Sequence, residues 1–589
     1  MDQRIALLEA TVEKLTGELG SLAERLSALE AEVDERPRPA LPVTSEAPPE
    51  LALPELAIPD RPTFLRLVTL AGRSLMALGG AYLLRALTDA GTLAPPVGVG
   101  LGLLYAAIWL ALARRSGARD RPRSATFHGL TATAIAFPLV WEATGRLAVL
   151  SPSVAALLLI GFAVGGLRVA ARQDVRLLAW STTLFGIGVG AGLLFRTHAL
   201  LAFGTALLVL GALVLWATYR RGWTVLRWLG TFLVDGVLLL CLILAIRTSP
   251  PPDWLPRFAV LLTLLGFAAL YLAALARRTL GPDPKVGSFE VAQMVIAVAV
   301  GIGGAARLAT GPLAWTLGAV VLALAVGAYA CAFRAPLPER DYRPGLLLYS
   351  SLGAVLTLIA LRLLLPPPGA LLAVGGLGLA AAWLGISLRR RVLEAQAAFF
   401  AFVLAIQSGL LRQAADVLFA AGDQTWARLS APGLAALAVV VACRGILLRR
   451  PADESDRWVR WSSHFARIAL TALLLAGAGA VVSELLAGPL AGAPGPEADR
   501  GALAALRTTV LALAAVVLAL IGRWPRLREA AWLVYPVLVV GGLKFLLDDL
   551  PNGRAGTLFV SLVVLGGALL AVSRLGGAGE GRRANLPTA

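Results

Sequence analysis

Long apolar runs separated by short, arginine-bearing connections make up most of this chain. Between residues 63 and 575 the runs are about 20 residues long, the length of a helix that crosses a bilayer. We count about 18 such runs by hydropathy. The sequence therefore predicts an all-α polytopic membrane protein whose helices follow one another as hairpins. The predicted span centres are Ala77, Leu104, Ala136, Leu159, Gly186, Leu208, Gly236, Leu265, Val298, Val321, Val355, Leu377, Leu404, Val439, Leu475, Ala515, Val537 and Gly566.

A different pattern covers residues 5–33, where apolar residues recur at alternating steps of three and four. This is the a/d seam of a coiled coil. Its a positions are Ile, Val, Leu, Leu and Val and every d position is Leu, and β-branched residues at a with leucine at d favour a parallel dimer. A lone helix on a membrane surface would instead show a broad apolar face and basic flanks. We predict a cytoplasmic coiled coil over residues 1–35 that makes the protein a homo-oligomer, with the number of strands open. The seam residues are Ile5, Leu8, Val12, Leu15, Leu19, Leu22, Leu26, Leu29 and Val33.

Two further segments flank the apolar region. Residues 36–62 are rich in proline, which blocks helix and sheet alike, so they are predicted to form an extended tether. Residues 576–589 read GGAGEGRRANLPTA and are predicted to be a disordered cytoplasmic tail. The organisation is thus a coiled coil (1–35), a tether (36–62), a polytopic domain (63–575) and a tail (576–589).

The connections alternate between arginine-rich and arginine-poor along the chain. Residues 114–123, 168–176 and 220–227 belong to the rich set, whereas the intervening connections carry one or two basic residues, such as Arg146 or Arg196. Cytoplasmic loops are the basic ones in membrane proteins. Both termini are therefore predicted to be cytoplasmic, which requires an even number of spans.

Composition agrees with a membrane location. Only 15% of residues are charged, whereas soluble domains carry about 25%. The net charge of +17 would suggest nucleic acid in a soluble protein, but here the arginines lie between spans. They are predicted to set topology and to contact anionic lipid on the cytoplasmic side. No basic patch interleaved with aromatic residues is present, so the sequence predicts no nucleic-acid partner.

Two ionisable residues lie far inside predicted spans, where lipid penalises charge. Arg73 is near the middle of the first span, and Asp235, in TFLVDGVLLL, is near the predicted midplane. One interpretation pairs them as a buried structural ion pair at similar depth. The other makes Asp235 a proton or cation site of a transporter.

A second polar group ends the span centred near Val537. Lys544 and Asp548 are four residues apart, Asp549 follows, and Arg554 opens the next span. One interpretation is that these residues anchor the outer end of the span at the headgroups. The alternative is an external binding surface that includes Arg554.

The remaining motifs do not indicate a catalytic or metal-binding site. The glycine string GIGVGAG at residues 186–192 imitates a nucleotide loop but lies inside a span, where small residues allow close helix packing. The three histidines and three cysteines show no metal-ligand spacing. The sequence therefore predicts no catalytic residue, no metal and no cofactor.

The two ends of the membrane region resemble a known family. The stretch FLRLVTLAGRSLMALGGAYLLRALTDAGTLAPPVGVG after a coiled coil and proline-rich tether, and the closing LKFLLDDLPNGRAGTLFVSLVVLGG, are similar to a large bacterial family of predicted many-span membrane proteins of unknown function with an N-terminal coiled coil. The resemblance implies a bacterial inner-membrane location. It provides no functional residues.

Three functions remain open, in this order. The first is a non-enzymatic, oligomerising scaffold or assembly platform of the inner membrane, built on the coiled coil. The second is a transporter or channel for a lipidic or small polar solute, with Asp235 as the ion-coupling residue. The third is an embedded transferase, for which clustered histidine and acidic side chains would be needed.

Overall fold

The computed structural model describes residues 79–584 apart from short segments, and almost all of these residues are helical. No β-strand occurs among them, and the all-α polytopic fold predicted from hydropathy is confirmed. The predicted coiled coil (1–35), the tether (36–62) and Arg73 lie outside the described residues. The internal segments that are left out are 81–82, 84, 120–121, 249–251, 254, 281–285, 334–343, 420–428, 450–456 and 493–497.

We number the helices from Pro95 onwards in chain order. They are α1 (Pro95–Ala118), α2 (Pro122–Gly145), α3 (Pro152–Gln173), α4 (Arg176–Thr197), α5 (Leu200–Arg221), α6 (Thr224–Arg247), α7 (Arg257–Thr279), α8 (Ser288–Leu308), α9 (Pro312–Phe333), α10 (Pro344–Leu364), α11 (Pro367–Ser387), α12 (Arg391–Gln407), α13 (Leu410–Phe419), α14 (Ala431–Leu448), α15 (Arg457–Ala491), α16 (Arg500–Ile521), α17 (Leu527–Asn552) and α18 (Ala555–Ala584).

Among the described residues, 15 helices are long and apolar enough to cross a membrane. Each contains one of the predicted span centres. The centre Leu404 lies in α12, which passes the same test only together with α13, and the two are bent by 66°. The centre Ala136 lies in the less apolar α2, and Ala77 lies outside the described residues. The full count of about 18 spans therefore stays a prediction.

The lower hydropathy of α2 has a simple cause. The helix has 24 residues, enough to cross a bilayer, but it contains the ionisable His128 and Glu142 as well as the buried threonines Thr131, Thr133 and Thr144. Each hydroxyl donates a hydrogen bond to a backbone carbonyl three or four residues earlier in the same helix. The hydroxyls are thereby satisfied without any partner outside the helix.

The helix ends explain the short connections. Ser151 and Ser430 cap α3 and α14, because each side-chain oxygen accepts a hydrogen bond from the backbone N–H three residues later, and proline follows at the first helical turn. Helices α3, α4 and α5 end at Asp174, His198 and Gly222, which have positive φ angles of 55°, 57° and 72°. This conformation terminates a helix and turns the chain within a few residues.

Helices pack mainly against neighbours one or two positions away along the chain, as in the contacts of α3 with α4 and α5. One apolar core extends from α1 to α10 and a second from α10 to α15, so α10 contributes to both. Large apolar side chains also lie on the outside, for example Leu372 at 78% and Leu547 at 76% exposure. Lipid tails cover such a surface without penalty.

The last helix is longer than predicted. It continues to Ala584, whereas the sequence led us to expect disorder from residue 576. The four glycines among residues 576–584 each cost about 1 kcal/mol of helix propensity, so the extension depends on a helix that is already nucleated. The apolar span of α18 provides that nucleus, so residues 576–584 are helical.

Two spans contain π-helical segments, Ala297–Ile302 in α8 and Phe545–Asp549 in α17. Such segments widen a helix locally and are frequent at functional sites. The first begins four residues after the buried Gln293, and the second begins directly after the buried Lys544. Both irregular segments therefore lie next to polar side chains within the helix bundle.

Candidate functional site

Asp235 lies near the middle of α6 and is 5% exposed. Its Oδ2 atom accepts a hydrogen bond of 3.0 Å from the Nε2 of Gln293 in α8. Its Oδ1 atom is buried and has no hydrogen-bond partner. A carboxylate in the middle of a span is thus held by one neutral amide, with one oxygen left unsatisfied.

A tyrosine completes this group. The hydroxyl of Tyr271, in α7, approaches Asp235 without forming a hydrogen bond of good geometry, and the Oε1 of Gln293 also has no hydrogen bond. Gly211, in α5, leaves room for the tyrosine, because a Cβ atom there would lie 2.9 Å from the Tyr271 hydroxyl. Four helices therefore shape the surroundings of Asp235.

A second polar group lies nearer one end of the same helices. Glu290, buried in α8, accepts hydrogen bonds from the Tyr219 hydroxyl at 3.1 Å and from the Gly287 N–H at 2.9 Å. The Nη1 of Arg227 is 3.9 Å from Glu290 Oε1, and its guanidinium lies over the rings of Tyr219 and Phe289. These contacts fix a charged group at the start of α6 and α8.

The two groups are connected along the helices. Glu290 and Gln293 are three residues apart and therefore share a face of α8. Arg227 and Asp235 are eight residues apart on α6, a distance of about 12 Å along the axis. A line of polar side chains thus leads from the arginine-rich end of the helices to the midspan carboxylate. By the charge rule, that end is predicted to be cytoplasmic.

Arg73, the predicted partner of Asp235, lies outside the described residues, so that pair stays a prediction. The structure adds Gln293 and Tyr271, which are not among the residues predicted from the sequence. The sequence does contain a signal for Gln293, because it is an amide within the apolar run VAQMVIAVAV. It also lies three residues, about one helical turn, after Glu290. Tyr271 gives no comparable signal, since tyrosine is common in spans.

Lys544, Asp548 and Asp549 come together inside the bundle. The side chain of Lys544 is 2% exposed, and its Nζ is 2.5 Å from Asp549 Oδ1 and 3.1 Å from Asp548 Oδ2. It also donates hydrogen bonds to the Thr508 hydroxyl at 3.1 Å and to the backbone carbonyl of Ala504, both in α16. The predicted outer-end group is therefore packed against a neighbouring span.

Further contacts hold the two carboxylates. Thr508 donates a hydrogen bond of 2.8 Å to Asp549 Oδ2. Asn552 Nδ2 donates to Asp548 Oδ1 at 3.1 Å, and Arg507 Nη1 is 3.9 Å from Asp548 Oδ2. Two cations and two anions are thus collected between α16 and α17. We call Lys544, Asp548, Asp549, Thr508 and the Ala504 carbonyl the lysine site.

Arg554 does not join the lysine site. Its Nη1 lies 3.2 Å from Asp499 Oδ2, with 79% of the arginine side chain exposed. Asp499 also caps α16 by accepting hydrogen bonds from the N–H groups of Gly501 and Ala502. Of the four residues selected from the sequence, the structure brings three together and places the fourth in a separate exposed pair.

A third polar group, not predicted from the sequence, joins α14, α15 and the start of α17. Arg467 Nη1 lies 3.1 Å from Glu529 Oε1, and both side chains are almost fully buried. Arg444 donates a hydrogen bond from Nε to the Thr471 hydroxyl at 3.0 Å. In the sequence, Arg444 and Arg467 lie at the two ends of another arginine-rich connection, and this pattern gives no sign that either one is buried.

Within the described ranges, no group of three or more His, Cys, Asp or Glu side chains could hold a metal ion. Comparison of the chain with family models, with curated proteins and with solved structures finds no match. Function is therefore inferred from the geometry of the polar groups.

Proposed function

We propose that this integral membrane protein is a transporter that couples movement of a small polar or lipidic solute to a proton or small cation, with Asp235 as the exchanging carboxylate. One observation carries the proposal: Asp235 is buried in midspan, held by the neutral Gln293, with Oδ1 unsatisfied. An isolated charge is costly there. A proton or a cation on Oδ1 removes that cost, which is why we assign ion binding to this carboxyl group.

The polar line toward Glu290 supports this function. A coupling site must reach the aqueous phase on each side in turn. A line of polar side chains leads from Asp235 toward one end of the helices and consists of Glu290, Tyr219 and Arg227. The π-helical segment Ala297–Ile302 supplies an irregular backbone beside the same site. Transporters commonly place broken or irregular helices at their binding sites.

Infrared difference spectroscopy on the protein in liposomes tests the proposal without knowledge of the solute. We expect a buried carboxyl C=O band whose intensity changes reversibly with pH or with added Na⁺ and which is absent in D235N. The control D416N removes a carboxylate from the exposed pair of Arg412 and Asp416 and should keep the band. A spectrum that D235N leaves unchanged contradicts the assignment.

A solute assay follows from the same variants. Proteoliposomes that contain a trapped pH-sensitive dye are exposed to a panel of small polar solutes under an imposed proton gradient. We expect a solute-dependent dye response that D235N abolishes and D416N retains. A response of equal size in D235N would show that the coupling carboxylate lies elsewhere.

The scaffold function that the sequence favoured is the second candidate, and the heptad seam between Ile5 and Val33 supports it. In this function the coil gathers copies of the protein at the cytoplasmic face of a bacterial inner membrane. The test compares the proteins that copurify with the intact chain and with a chain lacking residues 1–35. Loss of specific partners together with the coil supports the scaffold; identical partners count against it.

A further inference from the structure

Two arginine side chains rest on one aromatic ring at the arginine-rich end of α5 to α8. The guanidinium carbon of Arg227 lies 5.0 Å from the centre of the Tyr219 ring, and that of Arg278 lies 4.9 Å from the same centre. Phe289 adds a second ring at 4.7 Å from the Arg227 guanidinium. We call Arg227 and Arg278 the arginine pair. Their contacts with the rings hold two long, flexible side chains in place.

The arginine pair has donors without acceptors. A guanidinium is a planar fork of N–H donors, but neither side chain donates a hydrogen bond to any residue that the structure describes, and the Nε atom of each is buried. Glu290 Oε1 lies 3.9 Å from Arg227 Nη1, which is too far for a hydrogen bond. Arg227 keeps 16% of its side chain exposed and Arg278 is also partly exposed, so a ligand can reach the outer nitrogens.

The charges at this end of the bundle do not balance. Among the described residues that end α5 and α7 or begin α6 and α8, Glu290 is the one carboxylate. It faces both members of the arginine pair, and the exposed residues Arg220, Arg221 and Arg277 add further positive charge. Partly buried charge without a partner is costly. An anion bound to the arginine pair would remove that cost.

We propose that the arginine pair binds a phosphate group. Guanidinium forks match the spacing of phosphate oxygens and donate two parallel hydrogen bonds to them. A phosphate group has enough oxygens to accept from two guanidiniums, and both lie against the ring of Tyr219. The rings hold the arginines before the ligand arrives, so little side-chain freedom is lost on binding.

The phosphate has two sources with the same chemistry. The arginine pair lies within one turn of the ends of α6 and α7, at the level of lipid headgroups. Val225 and Leu280, at the same helix ends, are 70% and 54% exposed and offer apolar surface to acyl chains. A soluble phosphate compound would reach the same nitrogens from the aqueous side.

The test uses the purified full-length protein in detergent and has two arms. In the first, thermal unfolding and calorimetric titration compare sodium phosphate with NaCl at equal ionic strength. In the second, native mass spectrometry and thermal unfolding compare phosphatidylglycerol with a glucosyl diacylglycerol of the same acyl chains, which lacks the phosphate. We expect the phosphate-bearing probe to bind and stabilise more than its counterpart in at least one arm. An effect of the lipid alone identifies a headgroup, and an effect of inorganic phosphate alone identifies a soluble compound.

Three variants locate the binding site. R278K keeps the charge but loses the guanidinium fork, and it should weaken binding of the phosphate probe by about tenfold or more. Y219L keeps every charge but removes the ring that holds both arginines, and it should also weaken binding. The control R277Q removes an exposed charge from the neighbouring position of α7, and it should change the affinity by less than about twofold.

Several outcomes would overturn the inference. Equal effects of the phosphate-bearing and phosphate-free probes in both arms exclude a phosphate site. If R277Q weakens binding as much as R278K does, the effect is general charge attraction at the basic surface, and binding that R278K and Y219L leave unchanged places the phosphate elsewhere. Phosphate binding does not depend on the transport function, because D235N should keep it whether or not Asp235 couples transport.

Discussion

Arg467 and Glu529 join α15 to the first turn of α17 through an ion pair that is shielded from solvent, with 3.1 Å between Nη1 and Oε1 and side-chain exposures of 2% and 1%. An ion pair at this depth lies in low dielectric, so removal of one partner leaves an uncompensated charge. The pair therefore holds together two parts of the chain that are far apart in sequence.

We expect E529A to lower the free energy of unfolding by about 3–5 kcal/mol, since it removes the carboxylate that pairs with the buried Arg467 guanidinium. The matched control D416A breaks the exposed pair of Arg412 and Asp416, whose side chains are 89% and 46% exposed, and it should cost at most about 1 kcal/mol. Denaturant unfolding in detergent measures both. Equal losses in the two variants would show that the buried pair has no special role.

A close helix contact leads to the second prediction. A Cβ atom on Gly301, in the π-segment of α8, would lie 2.7 Å from Ala268 Cβ and 3.1 Å from the Leu264 carbonyl oxygen of α7. These are backbone or Cβ atoms that cannot rotate away, so G301A should destabilise the protein by about 1–3 kcal/mol. In contrast, Gly188 in α4 has no heavy atom within 4 Å, and G188A should be neutral or stabilising by up to about 1 kcal/mol. A neutral G301A would contradict the close contact.

The hydrogen bond between Gln293 and Asp235 gives the third prediction. Q293L leaves the Asp235 carboxylate without its donor, and D235L leaves the amide unpaired, so each should cost about 1–3 kcal/mol of unfolding free energy. The double variant should lose less than the sum, by about 0.5–3 kcal/mol, because it removes both polar groups together. Strict additivity in this cycle would mean that the two side chains do not interact.

The sequence was sufficient for the architecture because spans are set by length and hydropathy, which are local properties. Fifteen predicted centres fall in separate span-like helices. The polar sites were harder, because their members come from different helices. The sequence identifies Asp548 and Asp549 as charged residues at the end of a span. The contact of Asp549 with Thr508, however, depends on how α17 packs against α16. Threonine also occurs throughout apolar spans, so it gives no signal before the helices are packed.

Helix packing also explains why two residues that are close in sequence lie in different polar groups. Lys544 and Arg554 were grouped because they are close in sequence, but the π-segment and the turn after Asn552 separate them. Arg554 pairs with Asp499 outside the lysine site. Along one regular helix, residues three or four positions apart are in contact. This rule does not apply across a π-helical segment or past the end of the helix.

The predicted orientation of the membrane domain forms the fourth prediction. Reporter domains that are active only in the cytoplasm should be active when fused at residue 1, at residue 589 or within the α5–α6 turn at Gly222, which lies in an arginine-rich connection. The same reporter at His198, between α4 and α5, should be inactive, and a periplasmic reporter should show the reverse pattern. Periplasmic activity at residue 1 would overturn the orientation and the cytoplasmic placement of the coil.

The heptad seam gives the last prediction, which concerns assembly of the whole protein. Leu15 and Leu22 occupy consecutive d positions, where leucine side chains pack against the partner helix. L15E/L22E places like charges in that seam, so the oligomer should dissociate or become smaller, as measured by light scattering of the purified protein in detergent. The control K14E changes a position outside the seam and should keep the original mass. If the double variant keeps its mass, assembly does not depend on the seam, and contacts of the membrane domain must hold the copies together.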